Sequence, residues 1–312
     1  MRFVTFDDDG KQRVGVLDAE KVHALPIGSS MLALLQAAPG VLTQAGEAAL
    51  NEPSDRVLSD LHLLAPIPNP PTVRDFMIFE EHVAGTALIF GPDTPVPPRW
   101  YEAPQFYFTN PYAVRGPNDP VPIAPGSQRF DLELEVAAII GSTARNAKPD
   151  DGEHHIAGYT ILVDWSARDV QFAEMELRLG PTKGKDTATT LGPMLVTPDE
   201  LEPFRSGQSF DLKMRAEING KLLGEDRLSS MGYSFGDMVA FASRGTEVRP
   251  GDVLGTGTCG GGCLAELWGR QGFDAHRPLL PGDNVTVAVE QLGAMTLKIV
   301  EGDQLIPIPP AR

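Results

Sequence analysis

The feature that most constrains this chain is an apolar run from Phe130 to Ile140, FDLELEVAAII, which carries three acidic residues. Residues two apart in a β-strand point to the same face, so Glu133 and Glu135 are predicted to stand side by side, with apolar side chains on the opposite face. Two adjacent carboxylates repel each other. Such a strand is stable only if a cation lies between the carboxylates or if they reach water.

A second apolar run, Tyr159–Val163, is followed directly by another acid, Asp164. If the two runs are neighbouring strands, Asp164 joins Glu133 and Glu135 in an all-oxygen site of the kind that Mg²⁺, Mn²⁺ or Ca²⁺ prefers. The alternative is that the acids of the first run form a solvated strand face that binds nothing.

Composition limits the classes of protein to which this chain can belong. Of its 312 residues, 42% are hydrophobic and 22% are charged, which is typical of a globular protein of about two domains. The net charge of −16 argues against nucleic acid or a membrane surface as the partner. No apolar stretch approaches the roughly 18 residues of a membrane span, and the first residues are typical of a strand and not of a signal peptide. Because Cys259 and Cys263 are the two cysteines, we expect no disulfide framework and a cytoplasmic location.

Residues 1–68 are predicted to form a small N-terminal αβ domain. A helix is expected to start at Met31 behind Ser29 and Ser30, and an Ala-rich helix near Thr43–Leu50. The predicted strands are Phe3–Phe6, Val14–Leu17 and Val22–Leu25. Four prolines between residues 66 and 71 then indicate either an interdomain linker or a rigid entry strand.

Residues 69–312 are dominated by short β-like runs separated by Gly and Pro turns. The predicted fold class is therefore α+β and mainly β, with a mixed sheet that forms a roll or sandwich. The predicted strands are Phe106–Thr109, Leu132–Ile140, Thr160–Val163, Met194–Val196, Leu212–Ile218, Val253–Gly255, Ala265–Trp268, Val285–Val289 and Met295–Val300. Helices are predicted over Asp75–Ala87 and Ser166–Leu179, and the proline-rich segment 83–104 is predicted to be a functional loop.

The glycine-rich run Gly255–Cys263 has the composition of a phosphate-binding loop. It lacks the Gly-Lys-Ser/Thr ending, and no helix pattern follows it, so a phosphate site is not predicted. Its two cysteines have no second pair with which to build a zinc site, and we interpret them as packing residues.

Three motifs in a fixed order resemble the fumarylacetoacetate hydrolase family. They are the LELE run, then DWSARDVQ from Asp164 to Gln171, then LGPTKGK from Leu179 to Lys185. The resemblance covers about residues 70–300 and implies the family's mixed β-sandwich roll for the domain 69–312. It also implies a divalent metal (Mg²⁺, Mn²⁺ or Ca²⁺) held by Glu133, Glu135 and Asp164, a small-molecule keto acid or diketone as ligand, and a homodimer.

The resemblance extends to four further positions. The segment VRDFMIFEEH resembles the one in which fumarylacetoacetases place a metal-binding Asp and, seven residues on, a catalytic His, which correspond to Asp75 and His82. Downstream, Thr258 corresponds to a substrate-binding Thr, and Glu266 to the Glu that orients the His.

A lysine is also implied at the site, in one of two positions. If the Gly-Lys pair is aligned with the family, Lys185 and Thr189 take the active-site positions, whereas the shorter pattern Lys-x-x-Asp-Thr gives Lys183. We favour Lys185, because that alignment needs no gap between Asp164 and Pro193.

The remaining candidates are interpreted as substrate-binding residues. Arg168 and Gln171 are spaced to bind a substrate carboxylate or enol oxygen from one helical face. Met77 and Met175 stand where fumarylacetoacetases usually have tyrosines, and a thioether cannot donate a hydrogen bond as a phenol does. Fumarylacetoacetate itself is therefore disfavoured, unless residues such as Tyr107 compensate.

Together these residues predict a metal-dependent hydrolase that cleaves a carbon–carbon bond in a 1,3-diketone acid, either an acylpyruvate or a fumarylacetoacetate-like compound. The metal is expected to be Lewis acid and template, His82 to activate water while Glu266 fixes its tautomer, and Lys185 to stabilise the enolate leaving group. The family's site also supports decarboxylation, isomerisation and dehydration of 2-keto acids. The non-enzymatic alternative is a binding protein stabilised by Ca²⁺.

Overall fold

The computed structural model describes residues 1–54 and 56–311. Its N-terminal segment contains strands β1 (Arg2–Asp8), β2 (Lys11–Asp18), β3 (Lys21–Ala24) and β4 (His62–Leu64) and helices α1 (Met31–Gln36) and α2 (Val41–Leu50). The three predicted strands and both predicted helices of this segment are confirmed. The Ser30 side chain caps α1 by accepting a hydrogen bond from the amide of Ala33.

Strands also dominate the remainder of the chain, which confirms the α+β, mainly β fold class. They are β5 (Val73–Phe76), β6 (Phe106–Thr109), β7 (Val114–Arg115), β8 (Val121–Pro122), β9 (Phe130–Asp131), β10 (Leu134–Ile140), β11 (Ile156–Asp164), β12 (Ser166–Ala167), β13 (Thr189–Val196), β14 (Arg205–Ser206), β15 (Ser209–Phe210), β16 (Lys213–Ile218), β17 (Lys221–Arg227), β18 (Val253–Gly255), β19 (Asn284–Val289) and β20 (Gly293–Val300). The helices are α3 (Glu80–Ala87), α4 (Pro149–Gly152), α5 (Arg168–Met175), α6 (Pro198–Leu201), α7 (Phe235–Ala242) and α8 (Leu264–Gln271). Within the described ranges, no helix is long and apolar enough to cross a membrane.

A large mixed sheet runs in the order β3-β2-β1-β13-β11-β10-β18-β5-β6, and a second sheet in the order β17-β16-β19-β20-β8. Most neighbours are antiparallel, but β18 and β5 are parallel. Strand β1 pairs with β13 through Arg2 and Val196, so the N-terminal segment shares a sheet with later strands. The division into domains 1–68 and 69–312 stays a prediction.

Strand β10 lies where two apolar cores meet. Val136 and Ala138 belong to the core that also includes the second sheet, whereas Ala137 and Ile139 belong to the core under α1. All seven residues of β10 are buried. A carboxylate on this strand is therefore kept from bulk water and needs partners inside the protein. Since Asp131, Glu133 and Glu135 are all buried, the acids of this run do not form a solvated strand face.

Three of the predicted elements have different bounds in the structure. The helix predicted over Asp75–Ala87 begins only at Glu80, because Asp75 lies in β5, which pairs with β18 and β6. The helix predicted over Ser166–Leu179 spans only α5. The strand predicted over Leu132–Ile140 begins only at Leu134, because Leu132 and Glu133 form a break between β9 and β10.

The strand predicted over Ala265–Trp268 is wrong, because these residues lie inside α8. The first two amides of α8, those of Leu264 and Ala265, donate to the carboxylate of Asp131 over 2.7 and 3.0 Å. This cap comes from a residue far away in the sequence, so no local pattern reveals the helix. A helix thus does follow the glycine-rich run, but a carboxylate of the protein already occupies its N-terminus.

Candidate active site

Three carboxylates come together from three strands of the large sheet. Asp164 ends β11, Glu135 lies on β10 and Asp75 on β5, and one oxygen of each lies within 4.8 Å of the others. We call these residues the carboxylate trio. Strand β18 passes between β10 and β5 and contributes Gly255 beside Asp75. A Cβ atom at Gly255 would lie 2.9 Å from Glu135 Oε2 and 3.0 Å from Asp75 Oδ1, so only glycine leaves the space in which the trio meets.

Each carboxylate of the trio has one oxygen with a partner and one without. The Tyr107 hydroxyl lies 2.9 Å from Asp75 Oδ2 and 2.5 Å from Asp164 Oδ2, and the Gly257 amide donates to Glu135 Oε2 over 2.8 Å. Among the described residues, none donates to Asp75 Oδ1, Glu135 Oε1 or Asp164 Oδ1, although all three atoms are buried. Unpartnered buried acceptors are rare, and three so close together form the oxygen set that a divalent cation takes.

The charge of the trio points in the same direction. Burial raises the pKa of Glu135 and of Asp164 well above their usual range and also raises the pKa of Asp75. Neighbouring carboxylates add to the rise at Glu135, while the ammonium of Lys185 works against it at Asp164. The ionised form of the trio is thus disfavoured by its surroundings, and a bound divalent cation would stabilise it.

Glu133 is held by cations and lies outside the trio. Its Oε1 accepts from Arg168 Nη2 over 2.6 Å, and its Oε2 accepts from Lys185 Nζ. Burial acts to raise the pKa of Glu133, but the charges of Arg168 and Lys185 outweigh it and hold that pKa well below its usual range. The role of Glu133 as a metal ligand stays a prediction.

Of the two candidate lysines, the structure brings Lys185 to the site. Lys185 is 3% exposed, and its Nζ donates to Asp164 Oδ2 over 2.5 Å, to Ser166 Oγ over 2.7 Å and to Glu133. The three protons of its ammonium group are therefore committed to the protein. The side chain of Lys183 is 70% exposed and pairs with a surface aspartate.

A second buried group contains His82, Cys263 and Glu266, and we call it the histidine cluster. His82 Nδ1 lies 2.9 Å from Glu266 Oε1. Since an ionised carboxylate only accepts hydrogen bonds, Nδ1 carries the proton and Nε2 keeps its lone pair. Glu266 Oε2 accepts from the Gly261 amide over 2.8 Å and from Arg270 Nη2 over 3.2 Å.

The histidine cluster depends on the close approach of α3, which carries His82, to α8, which carries Glu266. A Cβ atom at Gly85 on α3 would lie 2.9 Å from Glu266 Cγ. The Cys263 sulfur lies 3.6 Å from His82 Nδ1, and burial raises the pKa of this thiol well above its usual range. Cys263 is therefore a neutral packing residue, as interpreted from the sequence.

Both groups border one cavity of about 480 Å³. The predicted site residues that line it are Asp75, Met77, His82, Tyr107, Glu133, Arg168, Gln171, Met175, Lys185 and Thr258. Glu135, Asp164 and Glu266 lie directly behind this wall, each in contact with a lining residue. Lys183 and Thr189 are not part of the wall; Thr189 is buried in β13, where its backbone pairs with Asp164. Arg168 Nη1 donates to Gln171 Oε1 over 3.2 Å, so these two predicted substrate-binding residues are in contact.

Sequence reasoning missed a central role of Asp131. Besides capping α8, its Oδ2 accepts from Arg168 Nε over 3.0 Å and from Arg168 Nη2 over 2.8 Å. Its spacing from Glu133 was the one local signal of a shared environment. Phe90 and Phe172 also line the cavity and were not predicted. The segment 83–104 that contains Phe90 shows no period, and only the polar residues of α5 carried a sequence signal.

Three comparisons with known proteins agree with this geometry. The family model of the fumarylacetoacetate (FAA) hydrolase C-terminal domain matches residues 73–300. A fumarylacetoacetase of Oryza sativa subsp. japonica is 31% identical over 282 residues, and the match spans 73% of this chain but only 65% of the rice protein. Oxaloacetate tautomerase YisK of Bacillus subtilis (strain 168) is 27% identical over 96% of this chain and 100% of its own length.

Among solved structures, the maleylpyruvate hydrolase from Sphingobium sp. SYK-6, in complex with manganese(II) and pyruvate, has the same fold. It superimposes with a TM-score of 0.73 at 23% identity, covering 97% of this chain and 100% of that one. The relatives named here include hydrolases and a tautomerase. On the match over residues 73–300, this chain belongs to the fumarylacetoacetate hydrolase family.

Proposed function

We propose that this protein is a divalent-metal-dependent hydrolase that cleaves a carbon–carbon bond in a 1,3-diketo acid of the acylpyruvate class. The observation that carries the proposal is the placement of the histidine cluster and the carboxylate trio at one cavity. His82 there has an oriented imidazole, because Glu266 fixes its proton on Nδ1. A non-enzymatic calcium site would need the carboxylates but no such imidazole beside them.

The carboxylate trio would hold the metal. Its three unpartnered oxygens suit Mg²⁺, Mn²⁺ or Ca²⁺, and the manganese in the related maleylpyruvate hydrolase supports this choice of chemistry. When bound, such a metal supplies Lewis-acid polarisation of the substrate's oxygens. Tyr107 and the Gly257 amide keep the second oxygens of the trio in place.

His82 is the proposed general base. Its Nε2 takes a proton from water, and the Glu266 carboxylate stabilises the imidazolium that results. The water oxygen bonds to the acyl carbonyl carbon, and the bond from this carbon to the methylene group breaks. The electron pair leaves with the methylene carbon as the enolate of pyruvate, which regains a proton from His82. The products are a carboxylic acid and pyruvate.

Arg168 and Lys185 supply positive charge where the cavity wall borders Glu133. Both are buried and bound to Glu133, so their positions are fixed before substrate arrives. Preorganised positive charge stabilises a developing enolate without further rearrangement. Gln171, in contact with Arg168, is positioned to bind the keto-acid carboxylate.

The test is hydrolysis of acetylpyruvate with added Mn²⁺ or Mg²⁺. The reaction is monitored by the loss of diketone absorbance and by the formation of pyruvate. We expect equimolar pyruvate and acetate, abolished by EDTA and by His82→Asn. Cleavage that persists in EDTA would exclude the metal, and turnover that survives His82→Asn would exclude this base.

The second candidate is a tautomerase or isomerase of a 2-keto acid, which the near full-length alignment with the Bacillus subtilis oxaloacetate tautomerase favours. His82 would then move a proton between carbon and solvent without activating water for addition. Oxaloacetate is the substrate that tests this second candidate. A tautomerase changes the enol absorbance of oxaloacetate without forming pyruvate, whereas a decarboxylase would form pyruvate and CO₂. If acylpyruvates are inert and only the enol absorbance of oxaloacetate changes, the tautomerase replaces the hydrolase.

A further inference from the structure

We infer that the acyl group of the substrate is uncharged and apolar, a branched alkyl or aryl group and not one that ends in a second carboxylate. The inference rests on the proposed function and deepens it by naming the substrate class. It comes from the part of the cavity that the proposed chemistry does not use.

The cavity has two chemically different ends. The polar end contains His82, Arg168, Lys185 and the face of the carboxylate trio. The other end, which we call the apolar mouth, consists of Met77, Ile89, Phe90, Phe172, Met175 and Pro181. Met77 is 44% exposed, Phe90 72% and Met175 45%, so large apolar side chains surround one opening. Exposed apolar groups that converge in this way mark a surface that an apolar partner or ligand covers.

Charge at the mouth argues against a second carboxylate. Among the described residues of the cavity wall, the lysine and arginine side chains are Lys185 and Arg168, and both are bound to carboxylates at the polar end. The charged residue at the mouth is Glu176. A substrate carboxylate there would lose water, find no cation in this wall and approach a like charge.

Contacts within the protein hold the residues of the apolar mouth in place. The Trp100 indole N–H donates to the backbone oxygen of Met77 over 2.7 Å, which fixes Met77 beside the carboxylate trio. The rings of Phe90 and Phe172 meet edge to face with centroids 5.8 Å apart. An alkyl or aryl group that packs against this pair is therefore bordered by side chains from α5 and from the turn Leu88–Phe90 that follows α3.

The test compares two substrates of equal size, 4-methylpentanoylpyruvate and succinylpyruvate, which differ in an isopropyl group against a carboxylate. We expect kcat/KM to be at least about tenfold higher for the apolar compound. Met175→Arg adds a cation to the mouth and should shift the ratio toward succinylpyruvate by at least about tenfold. The matched control is Leu177→Arg, which adds the same charge at an 80% exposed position outside the cavity wall and should leave the ratio within about twofold.

A preference of the wild-type protein for succinylpyruvate would overturn the inference, and so would a ratio that Met175→Arg leaves unchanged. If neither compound is cleaved, the proposed function fails and the inference is decided by binding. Dissociation constants of the same pair are then measured by calorimetry on the Mn²⁺-loaded His82→Asn protein. Tighter binding of the apolar compound supports the inference, and equal or tighter binding of succinylpyruvate overturns it.

Discussion

The carboxylate trio and the histidine cluster are alike in most respects. Each contains three potential metal ligands whose atoms lie within 4.8 Å of one another, each is buried, and each borders the same cavity. They differ in hydrogen bonding. Both oxygens of Glu266 have donors, whereas each carboxylate of the trio keeps one oxygen without a partner among residues 1–54 and 56–311. Residue type and burial alone do not separate a metal site from a base and its orienting partner, but unpartnered acceptors do.

The difference is also one of charge. In the histidine cluster, the guanidinium of Arg270 and the imidazole N–H surround the one carboxylate. In the trio, three carboxylates share the field of Lys185, and burial raises their pKa values. The carboxylate of the first group has donors on both oxygens, whereas the second group has free acceptor atoms, among the described residues, that a cation would fill. The following predictions test this contrast, beginning with the largest effect.

Removal of one trio oxygen should abolish both metal binding and turnover. For Glu135→Gln we expect Mn²⁺ affinity to fall at least about a hundredfold, with kcat/KM below detection, because a neutral amide replaces a charged ligand. Calorimetric titration with Mn²⁺ measures the first quantity and pyruvate formation the second. Unchanged Mn²⁺ affinity would show that the trio is not the metal site.

Replacement of His82, the proposed base, should lower turnover and leave metal binding unchanged. For His82→Asn we expect kcat to fall by about 10²–10⁴-fold, the range of general-base catalysis, while Mn²⁺ affinity stays within about twofold. The same titration and the same pyruvate assay apply. A large loss of Mn²⁺ affinity here would mean that the two groups act as one metal site, and the contrast would fail.

Neutralising a carboxylate should change stability in opposite directions in the two groups. In EDTA-treated protein, Glu266→Gln should lower the free energy of unfolding by about 2 kcal/mol, since an amide N–H₂ would face the donors of Gly261 and Arg270. Glu135→Gln should raise it by about 1 kcal/mol, since it removes a buried like charge. Urea denaturation of both variants gives the two signs. If both variants lose stability, the trio is not strained by its charge.

A carboxylate outside both groups provides the baseline for a fully satisfied acid. Hydrogen bonds from Arg277 chiefly, and then from Asn219, lower the pKa of Asp283 to about 2. A lowered folded pKa gives stability that is present above the unfolded pKa of about 3.9 and is lost as pH falls through the folded value. Since Arg277 is half exposed, Asp283→Asn should cost about 1 kcal/mol at pH 7, and the difference from wild type should disappear near pH 2. Denaturation curves between pH 2 and 7 measure this, and a constant difference would contradict it.

The sequence predicted the parts of the site that follow from local patterns. Alternation along β10 and the acid at the end of β11 indicated where Glu135 and Asp164 lie, because strand periodicity is local. The motifs also favoured Lys185 over Lys183 as the active-site lysine. Local patterns could not give the helix that carries Glu266, since its cap is Asp131, more than a hundred residues earlier. They also could not show that β18 passes between two acids, which is what requires Gly255, because strand order is set by the whole chain.

Asp131 also determines which parts of this protein can be redesigned independently. Its two oxygens accept hydrogen bonds from the first turn of α8 and from the guanidinium of Arg168. The positions of Glu266, which lies on α8, and of Arg168 therefore both depend on Asp131. A substitution at Arg168 would therefore also disturb Glu266 and, through its hydrogen bond, His82. Among the described residues, the side chains of Met77 and Met175 form no such hydrogen bond to Asp131. We therefore expect that they can be exchanged without moving Glu266 or His82. The substrate range of this scaffold can thus be altered from the mouth inward while the reacting end is left untouched.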